Sequence, residues 1–483
     1  MELPDGLVAV VKRDCPTCQT VVPVLERLAS GAGSVPLTVY TQDDPAFPAG
    51  LSPVDDTDLD VSVALDLDTV PTLLRVAGGV EVGRTVGWSA TRWAELTGVA
   101  EDALAGGLGL PAVRPGCGSR TLDPDVADEM LVRRRGGSLR SRRVELGGLE
   151  DEWEAMFDRG WSDGLPVVPP TPARVLRMLE GTSRSPGDVV AVVPPDLVEC
   201  TVEKVAVNAV MAGCTPACLP VVLAAVAGAC TDDFNAHGLL ATTYASGPVL
   251  VVGGPVTVRA QMNSGGNVLG QGNRANSTIG RALQLVIRNV GGGRPGGVDR
   301  AAHGNPGKVG FSFAEDGATP WGWLHEERGL PAGSSGVTLF PGEGPRTVVD
   351  QLSRDPESLA RSFAAALRSV AHPKLVLGFD ALVVVGPEHG RVFDEAGWSR
   401  AAVTARLHEL LQIPGAELVR GAGGISEGVP ERLRDATLPK FRAGGLLLVR
   451  AGGGAGLFSA IIGGWANGAT GSEPVSVEVA PWD

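Results

Sequence analysis

The sequence lacks several features that define familiar functional classes. No apolar run reaches the roughly 20 residues that cross a bilayer, so we expect no membrane segment. Acidic residues outnumber basic ones, 55 to 41, and the formal net charge is −14. This charge argues against nucleic acid as the main partner, because phosphate binding needs a basic face. The N-terminus also lacks the pattern of a secretory signal, and we therefore expect a cytoplasmic protein.

Histidine is scarce, and its spacing matches no metal-binding motif. The six histidines include no HxH or HExxH set, so we predict no bound metal. A metal-dependent lyase that uses His237, His389 and a cysteine stays an alternative. The glycine-rich loops have neither the Lys-Ser/Thr of a P-loop nor Rossmann spacing followed by an acid. We therefore expect no nucleotide or other resident cofactor.

Cysteine is present in an odd number and is widely spaced. The seven cysteines are Cys15, Cys18, Cys117, Cys200, Cys214, Cys218 and Cys230. This distribution does not suit a secreted disulfide framework, and cytosolic thiol pairs are usually catalytic or metal-binding. A chain of 483 residues is too long for one ordinary core. We expect an α/β fold with a redox domain over residues 1–108, a linker over 109–150 and a large domain over 151–483.

The first region places a cysteine pair at the start of a predicted helix. The run GLVAVVKRD reads as a buried strand, CPTC follows at once, and QTVVPVLERL has helical apolar spacing. Free N–H groups and the dipole at a helix N-terminus favour the thiolate of Cys15. Cys18 lies one turn further on, close enough to attack a mixed disulfide at Cys15. The carboxylate of Asp14 should oppose thiolate formation.

This order of motifs, with the later TVPTLL and GGVEVGRTVGW, resembles the thioredoxin and glutaredoxin domains. The resemblance implies a thioredoxin-like fold, Cys15 as nucleophile, Cys18 as resolving thiol and Pro71 in the substrate groove. The alternative is half of a zinc site, which needs a second close thiol or histidine pair. The first 108 residues contain no other cysteine and no histidine, which favours the redox interpretation.

Cys117 lies in the predicted linker, between two glycines and near Arg114 and Arg120. The neighbouring arginines favour its thiolate. Two interpretations stay open. Cys117 is either an incidental thiol in a flexible loop or a shuttle thiol that carries a disulfide or persulfide between two active sites.

The large region combines a second cysteine pair with alternating predicted strands and helices. A helix ends near AGC, and Pro216 begins another, so Cys214 should lie in a helix–helix corner with Cys218 one turn further on. Three strands end in glycine-rich loops, which we expect to converge because ligands bind at the C-terminal ends of such strands. The predicted substrate-binding residues in or near these loops are Asn263, Asn267, Arg274, Asn276 and Lys308. We expect a helix there, capped by Ser277 or Asn276, with an apolar face formed by Ile279, Leu283, Val286 and Ile287. His237 or His389 should supply a proton.

The blocks DGLPVVPPTPARV, EKVAVNAVMAGC, NRANSTIGRAL and GPEHGRV resemble the large domain of the UGSC-type (seleno)protein family. The resemblance implies thiol or selenol redox chemistry and no particular substrate. The U-G-S-C run itself is absent, and CGSR at residues 117–120 matches it only in part. Either Cys117 or Cys214 therefore holds the reactive position, and we favour Cys214 because an α/β core can surround it.

Together these features predict a thiol-dependent oxidoreductase or reductive lyase. Cys214 would attack a small-molecule substrate, and the CPTC module would supply reducing equivalents. A reductase of the thioredoxin reductase type, or a low-molecular-weight thiol, would recharge that module. The alternatives are a persulfide-transferring enzyme, the metal-dependent lyase, and a non-enzymatic scaffold that binds a client for disulfide editing. A homo-oligomer also stays open.

Overall fold

The structure, a computed structural model, describes residues 3–32, 35–147 and 150–481 of the chain. Helices and strands are interspersed throughout, and the strands form mixed sheets, so the predicted α/β class is confirmed. The chain divides into two compact units, Met1–Ser138 and Leu139–Asp483. We describe each unit by itself.

The first unit is built on a mixed sheet. Its strands are β1 (Gly6–Val11), β2 (Leu37–Thr41), β3 (Val54–Asp55), β4 (Thr69–Val70), β5 (Thr72–Ala77), β6 (Val80–Val86), β7 (Trp88–Ser89), β8 (Val113–Arg114) and β9 (Cys117–Gly118). Its α-helices are α1 (Pro16–Arg27), α2 (Asp60–Ala64), α3 (Ala90–Thr97), α4 (Glu101–Ala105) and α5 (Ala127–Arg135). Five strands pair in the order β3-β2-β1-β5-β6, with β1 parallel to β2 and antiparallel to β5. The central strand β1 is buried along its whole length. It therefore holds in place the first residue of the loop that leads into α1.

The segment after α4 folds onto the first unit. Strand β8 pairs with β7, and β9 pairs with β4 so that Cys117 lies opposite Val70. The boundary between the units falls after Ser138, within the region that the sequence led us to interpret as a linker. Cys117 is therefore held by strand pairing and does not sit on a mobile tether.

The second unit contains the remaining strands and α-helices. Its strands are β10 (Val189–Val193), β11 (Val198–Thr201), β12 (Gly247–Gly253), β13 (Ser312–Ala314), β14 (Gly336–Gly342), β15 (Arg346–Val349), β16 (Phe379–Val385), β17 (Gln412–Pro414), β18 (Thr437–Pro439), β19 (Leu446–Arg450), β20 (Phe458–Ala466) and β21 (Val475–Glu478). Its helices are α6 (Glu152–Asp158), α7 (Pro172–Leu179), α8 (Val202–Ala212), α9 (Leu219–Ala229), α10 (Ala236–Ala241), α11 (Val256–Arg259), α12 (Arg274–Asn289), α13 (Leu324–Glu327), α14 (Pro356–Leu367), α15 (Pro387–Glu395), α16 (Arg400–Leu410) and α17 (Gly415–Leu418).

Eight of these strands form two half-sheets with the same topology. One has the order β13-β12-β14-β21 and the other the order β19-β16-β20-β15. In the first half-sheet β12 pairs parallel with β13 and antiparallel with β14. In the second, β16 pairs parallel with β19 and antiparallel with β20. The half-sheets join where Gly342 of β14 pairs with Gly464 of β20. The large sheet of the second unit therefore contains the same strand topology twice.

In chain order, strands β12, β13, β14 and β15 form the first half of this sheet and β16, β19, β20 and β21 the second. The two halves exchange their last strands. Strand β15 follows β14 in the chain but pairs with β20 of the other half-sheet, and β21 follows β20 but pairs with β14. Each half thus completes the sheet of the other. The exchange ties residues near the end of the chain to the first half of the unit.

Alternating side chains on these strands divide the second unit into four layers. Val249 and Val251 of β12 pack in the same cluster as Leu382 and Val384 of β16, so this cluster lies between the half-sheets. On its opposite face β12 packs against helices α8, α9 and α12, and β16 packs against α14, α15 and α16. The order is helices, sheet, sheet and helices, which buries both faces of each half-sheet as expected for strands of this apolar composition.

Helix α12 shows how local sequence sets an element boundary. We expected Asn276 or Ser277 to cap it, but the cap is Asn273, whose side-chain oxygen accepts a 2.9 Å hydrogen bond from the N–H of Asn276. The predicted apolar face is confirmed as buried, and its residues are Ile279, Leu283, Val286 and Ile287. Both Asn273 and Asn276 are suitable caps by residue type, so only the position of the first turn distinguishes them.

Candidate active site

Cys15 lies between the central strand of the first unit and helix α1. Cys15 is the N-cap residue of α1, and Pro16 takes the first helical position. Proline is favoured there because its missing N–H would otherwise be unpaired. The Sγ atom of Cys15 accepts a 3.2 Å hydrogen bond from the N–H of Cys18. A sulfur at this position faces the positive end of the helix dipole, which stabilises a thiolate.

The thiolate of Cys15 is stabilised mainly by other thiols. Hydrogen bonding from the Cys18 side chain lowers the pKa of Cys15 to about 5, against an opposing effect of burial, and the Cys117 thiol and the N–H groups of Cys18 and Thr17 add to the lowering. Asp14, which we expected to oppose ionisation, is exposed and its backbone N–H binds Asp43. The ionised form of Cys15 therefore has donors on several sides.

Cys18 has the opposite electrostatic setting. Burial, followed by the hydrogen bond to Cys15, raises its pKa well above the ordinary thiol value. Its sulfur also accepts a 3.4 Å hydrogen bond from the N–H of Lys12. The pair thus holds one proton on Cys18 and a negative charge on Cys15, which separates the roles of nucleophile and proton donor.

Pro71 borders the same site. The Val70–Pro71 peptide bond is cis, and the carbonyl oxygen of Val70 lies 3.5 Å from the Sγ of Cys15. The carbonyl oxygen of Pro71 accepts a 2.8 Å hydrogen bond from the N–H of Gly87. The structure thus brings the predicted groove residue next to the predicted nucleophile.

Cys117 completes a cluster of three sulfurs. Its Sγ lies 2.7 Å from the Sγ of Cys15, although 102 residues separate the two in the chain. Burial, followed by the hydrogen bond to Cys15, raises the pKa of Cys117. Cys15 and Cys18 are fully buried, whereas Cys117 is only partly buried. Cys117 is thus the member of this cluster that solvent reaches.

Several hydrogen bonds hold the segment around Cys117 in place. The hydroxyl of Thr17 donates to the carbonyl oxygen of Pro115 at 2.7 Å, and Arg114 donates to the hydroxyl of Thr20 at 2.7 Å. On the other side of Cys117, the buried hydroxyl of Ser119 accepts a 2.7 Å hydrogen bond from Gln42. The sequence showed the thiol but not this anchoring, because its partners are distant in the chain.

The glycines that flank Cys117 differ in their packing. A Cβ atom on Gly116 would lie 2.4 Å from the Cγ2 of Thr69 and 2.8 Å from the carbonyl oxygen of Val70, whereas a Cβ atom on Gly118 would meet nothing within 4 Å. Gly116 is therefore needed for the segment to approach β4. The glycine before the cysteine was a signal of close backbone contact that the sequence carried.

The second unit contains another pair of interacting thiols. Cys214 lies in the predicted corner after α8, and Cys218 lies just before α9. Hydrogen bonding from the Cys214 side chain lowers the pKa of Cys218 to about 6 against the effect of burial, and Thr215, whose Oγ1 lies 3.3 Å from the Cys218 sulfur, lowers it further. The same interaction, followed by burial, raises the pKa of Cys214. The thiol that ionises more readily is Cys218, whereas the sequence led us to favour Cys214.

The other two cysteines behave as core residues. Burial, followed by the charge of Cys230, raises the pKa of Cys200 to about 12. Burial raises the pKa of Cys230 to about 12 as well. Both thiols stay protonated and pack in the core around helices α8, α9 and α12, as small buried side chains commonly do.

The two predicted proton donors lie in different settings. His389 is fully buried on α15, where Nδ1 is 2.8 Å from the hydroxyl of Ser459 and Nε2 is 3.0 Å from the carbonyl oxygen of Asp350. Both ring nitrogens are thus engaged within the protein, as expected of a structural histidine. His237 is exposed on α10. Neither residue contacts the cysteines through any described hydrogen bond.

The predicted substrate amides mainly hold their own loop. Asn276 is buried, and its side chain accepts from the N–H of Asn263 at 3.0 Å and donates to the carbonyl oxygen of Asn263 at 2.8 Å. The Asn263 amide bonds the backbone of Gly265 and Gly266, and that of Asn267 bonds the carbonyl oxygen of Gln271. These residues shape the loop and present fewer free polar atoms to a ligand than the sequence suggested.

The two predicted cationic residues are also engaged. Arg274 donates to the carbonyl oxygens of Gly213 at 2.7 Å and Cys214 at 3.4 Å, so its charge lies next to the second thiol pair and favours ionisation there. Lys308 forms a 2.7 Å ion pair with Asp299, and both side chains are largely buried. Of the predicted ligand-binding residues in this unit, Arg274 is the one that the structure brings to a reactive group.

The expected convergence of the glycine loops is confirmed. The N–H of Gly452, after β19, donates a 2.8 Å hydrogen bond to the carbonyl oxygen of Ser264, in the loop after α11. A Cβ atom on Gly452 would lie 3.4 Å from the Cδ of Pro387 in the third loop, and one on Gly453 would lie 3.1 Å from the Cα of Gly266. The absence of side chains at these glycines allows the loops to meet.

The rest of the described chain adds no metal centre. No group of three or more His, Cys, Asp or Glu side chains with the geometry of a metal site occurs in residues 3–32, 35–147 and 150–481. His237, His389 and a cysteine thus do not form the cluster that the lyase alternative requires.

No helix in this described part is long and apolar enough to cross a membrane. The chain matches no family model, no curated protein and no solved structure.

Proposed function

We propose that the protein is a thiol–disulfide oxidoreductase whose reactive group is the thiolate of Cys15. The observation that carries this proposal is the placement of one sulfur at the N-terminus of α1, where it accepts the N–H of Cys18 and lies 2.7 Å from the sulfur of Cys117. Such a setting lowers a thiol pKa and produces a nucleophile at neutral pH. A purely structural cysteine gains nothing from it.

The two-step chemistry follows from the pKa difference within the pair. The Cys15 thiolate attacks one sulfur of a substrate disulfide, forms a mixed disulfide and releases the other sulfur as a thiolate. Cys18 then attacks the Cys15 sulfur, and its proton goes to the departing substrate thiolate. The products are a dithiol substrate and a Cys15–Cys18 disulfide. A low-molecular-weight thiol or a reductase of the thioredoxin reductase type restores the dithiol.

We further propose that the first unit has a thioredoxin-like fold. This proposal is supported by the sheet order β3-β2-β1-β5-β6, by the dithiol at the start of α1 and by Pro71 beside it. Strand β1 leads into the reactive loop, and strand β4, just before β5, supplies the Val70 carbonyl. The resemblance seen in the sequence thus rests on elements that meet in space.

In the second unit, Cys214 and Cys218 are the proposed recipients of reducing equivalents. The support is the lowering of the pKa of Cys218 by the Cys214 thiol and the position of the Arg274 guanidinium beside the Cys214 carbonyl oxygen. Cys218 would attack a small-molecule substrate, and Cys214 would resolve the adduct as a disulfide. The first unit would then reduce that disulfide by thiol exchange.

The test is turnover of a small aromatic disulfide by the full chain with dithiothreitol as reductant. Cys15→Ser should lower the protein-dependent rate severely, and Cys18→Ser should lower it as well, because the resolving thiol of the pair is lost. Cys200→Ser, which changes a protonated core thiol, is the matched control and should retain the rate. An unchanged rate in Cys15→Ser would refute the proposal. A product that has gained a sulfur atom would instead favour persulfide transfer.

A further inference from the structure

We propose that Cys117 is the entry point for oxidising substrates, and that Cys15 receives the disulfide from Cys117 instead of attacking the substrate first. This inference rests on the proposed function, because it needs the Cys15–Cys18 dithiol as the final electron donor. It changes which sulfur meets the substrate. The substrate class is a low-molecular-weight disulfide.

Accessibility is the first argument. Cys15 and Cys18 are fully buried, and the segment that carries Cys117 pairs with β4 directly beside Cys15. Cys117 is only partly buried. An external disulfide therefore meets the sulfur of Cys117 before it can meet that of Cys15.

Distance is the second argument. The Sγ atoms of Cys117 and Cys15 lie 2.7 Å apart, and a disulfide bond is about 2.05 Å long. The two sulfurs are therefore in direct contact, the position from which one can attack the other. Since Cys15 is also hydrogen-bonded to Cys18, one sulfur lies between two partners, which is the arrangement that a relay requires.

Rigidity is the third argument. Backbone pairing of Val70 with Cys117, the Thr17–Pro115 hydrogen bond and the Ser119–Gln42 hydrogen bond hold the segment on both sides of the thiol. An incidental thiol in a flexible loop has no such anchoring. Fixed geometry makes the exchange between Cys117 and Cys15 effectively intramolecular.

The relay has three balanced steps. Cys117 attacks a disulfide RSSR as its thiolate, gives up its proton to the released RS⁻, and becomes a Cys117–SR mixed disulfide. The Cys15 thiolate attacks the Cys117 sulfur, expels a second RS⁻, which takes a proton from solvent, and forms a Cys15–Cys117 disulfide. Cys18 attacks the Cys15 sulfur, its proton passes to Cys117, and a Cys15–Cys18 disulfide remains. One disulfide is reduced to two thiols while one protein dithiol is oxidised.

The experiment treats the reduced full chain with oxidised glutathione and maps the disulfides by mass spectrometry. In Cys15→Ser, glutathione should remain on Cys117. In Cys18→Ser, a Cys15–Cys117 disulfide should accumulate without bound glutathione. In Cys117→Ser, formation of the Cys15–Cys18 disulfide should slow by about tenfold or more, because the intramolecular step is lost.

Other outcomes overturn the relay. In one of them, Cys117→Ser forms the Cys15–Cys18 disulfide as fast as the unmodified chain, or faster. In that case Cys117 only shields Cys15 from the substrate, and the inference is wrong while the dithiol function stands. A stable glutathione adduct on Cys15 in Cys18→Ser leads to the same conclusion. If the unmodified chain never forms the Cys15–Cys18 disulfide, the proposed function itself fails.

Discussion

The backbone N–H of Cys18 donates a 3.2 Å hydrogen bond to the sulfur of Cys15. This contact places the first thiol of the pair at the N-terminus of α1 and the second one turn along the same helix. The sulfur of Cys15 gains this helix N–H in addition to the Cys18 and Cys117 thiols, whereas at Cys18 burial outweighs the hydrogen bonds. The difference in ionisation between two otherwise identical side chains follows from these unequal donors.

A thiolate should form in the first unit as the pH rises through about 5. The pKa of Cys15 is lowered to about 5, so its thiol is protonated below that pH and ionised above it. The ultraviolet absorbance of the thiolate, measured against pH, should show this step in the unmodified chain and lose it in Cys15→Ser. Cys18→Ala should move the step upward more than Cys117→Ala, because the Cys18 thiol is the larger source of the lowering.

The same pKa has a consequence for stability. A thiol whose folded pKa lies below its unfolded value contributes stability that is fully present above the unfolded pKa of about 9 and is lost as the pH falls through about 5. The difference in unfolding free energy between the unmodified chain and Cys15→Ser should therefore shrink toward acid pH. A difference that grows toward acid pH would contradict the assignment.

Substitution of the two glycines beside Cys117 should have unequal effects. Gly116→Ala places a Cβ atom 2.4 Å from Thr69, so the segment must move away from β4, whereas Gly118→Ala meets nothing within 4 Å. Alkylation of Cys15 by iodoacetamide should become faster in Gly116→Ala and stay near the unmodified rate in Gly118→Ala. Equal rates in the two variants would show that docking of the segment does not protect Cys15.

A second ionising thiol should titrate near pH 6 in the second unit. In a Cys15→Ser background the remaining low-pH thiolate signal should vanish with Cys218→Ser, because the pKa of Cys218 is lowered to about 6. Cys214→Ala should raise the midpoint, since the Cys214 thiol is the main donor to Cys218. Loss of the signal with Cys214→Ser and its retention with Cys218→Ser would reverse the two roles.

The loop amides should contribute to stability more than to binding. Asn276 is buried and bonds the backbone of Asn263 and Val268, so Asn276→Ala should cost about 1–3 kcal/mol of unfolding free energy. Ser277→Ala, at an exposed position of the same helix, should change it by less than about 0.5 kcal/mol. Urea denaturation of both variants measures the difference, and equal costs would contradict this role for Asn276.

Local patterns in the sequence were enough to predict helix α1 and the cysteine pair at its start. The apolar spacing after CPTC and the proline at position 16 specify α1, and the apolar face of α12 from Ile279 to Ile287 is buried as expected. These features depend on residues within a few turns of one another. The α/β class follows from the same patterns.

Features made by distant residues were not predictable from the same patterns. The docking of Cys117 depends on Gln42, Thr17 and Val70, none of them near it in the chain. The roles of Cys214 and Cys218 depend on which thiol donates a hydrogen bond to the other between helices α8 and α9. The exchange of β15 and β21 leaves no periodic signal in the sequence. Long-range pairing, not local propensity, decides each of these.

The most direct test of the central claim is the redox state of the three sulfurs in the first unit across a series of glutathione buffers. Peptide mapping of the full chain at each buffer should show reversible formation of the Cys15–Cys18 disulfide, with loss of every disulfide at position 18 in Cys15→Ser. A Cys15 that stays reduced through the whole series, while the partly exposed thiol of Cys117 becomes oxidised, would contradict the account.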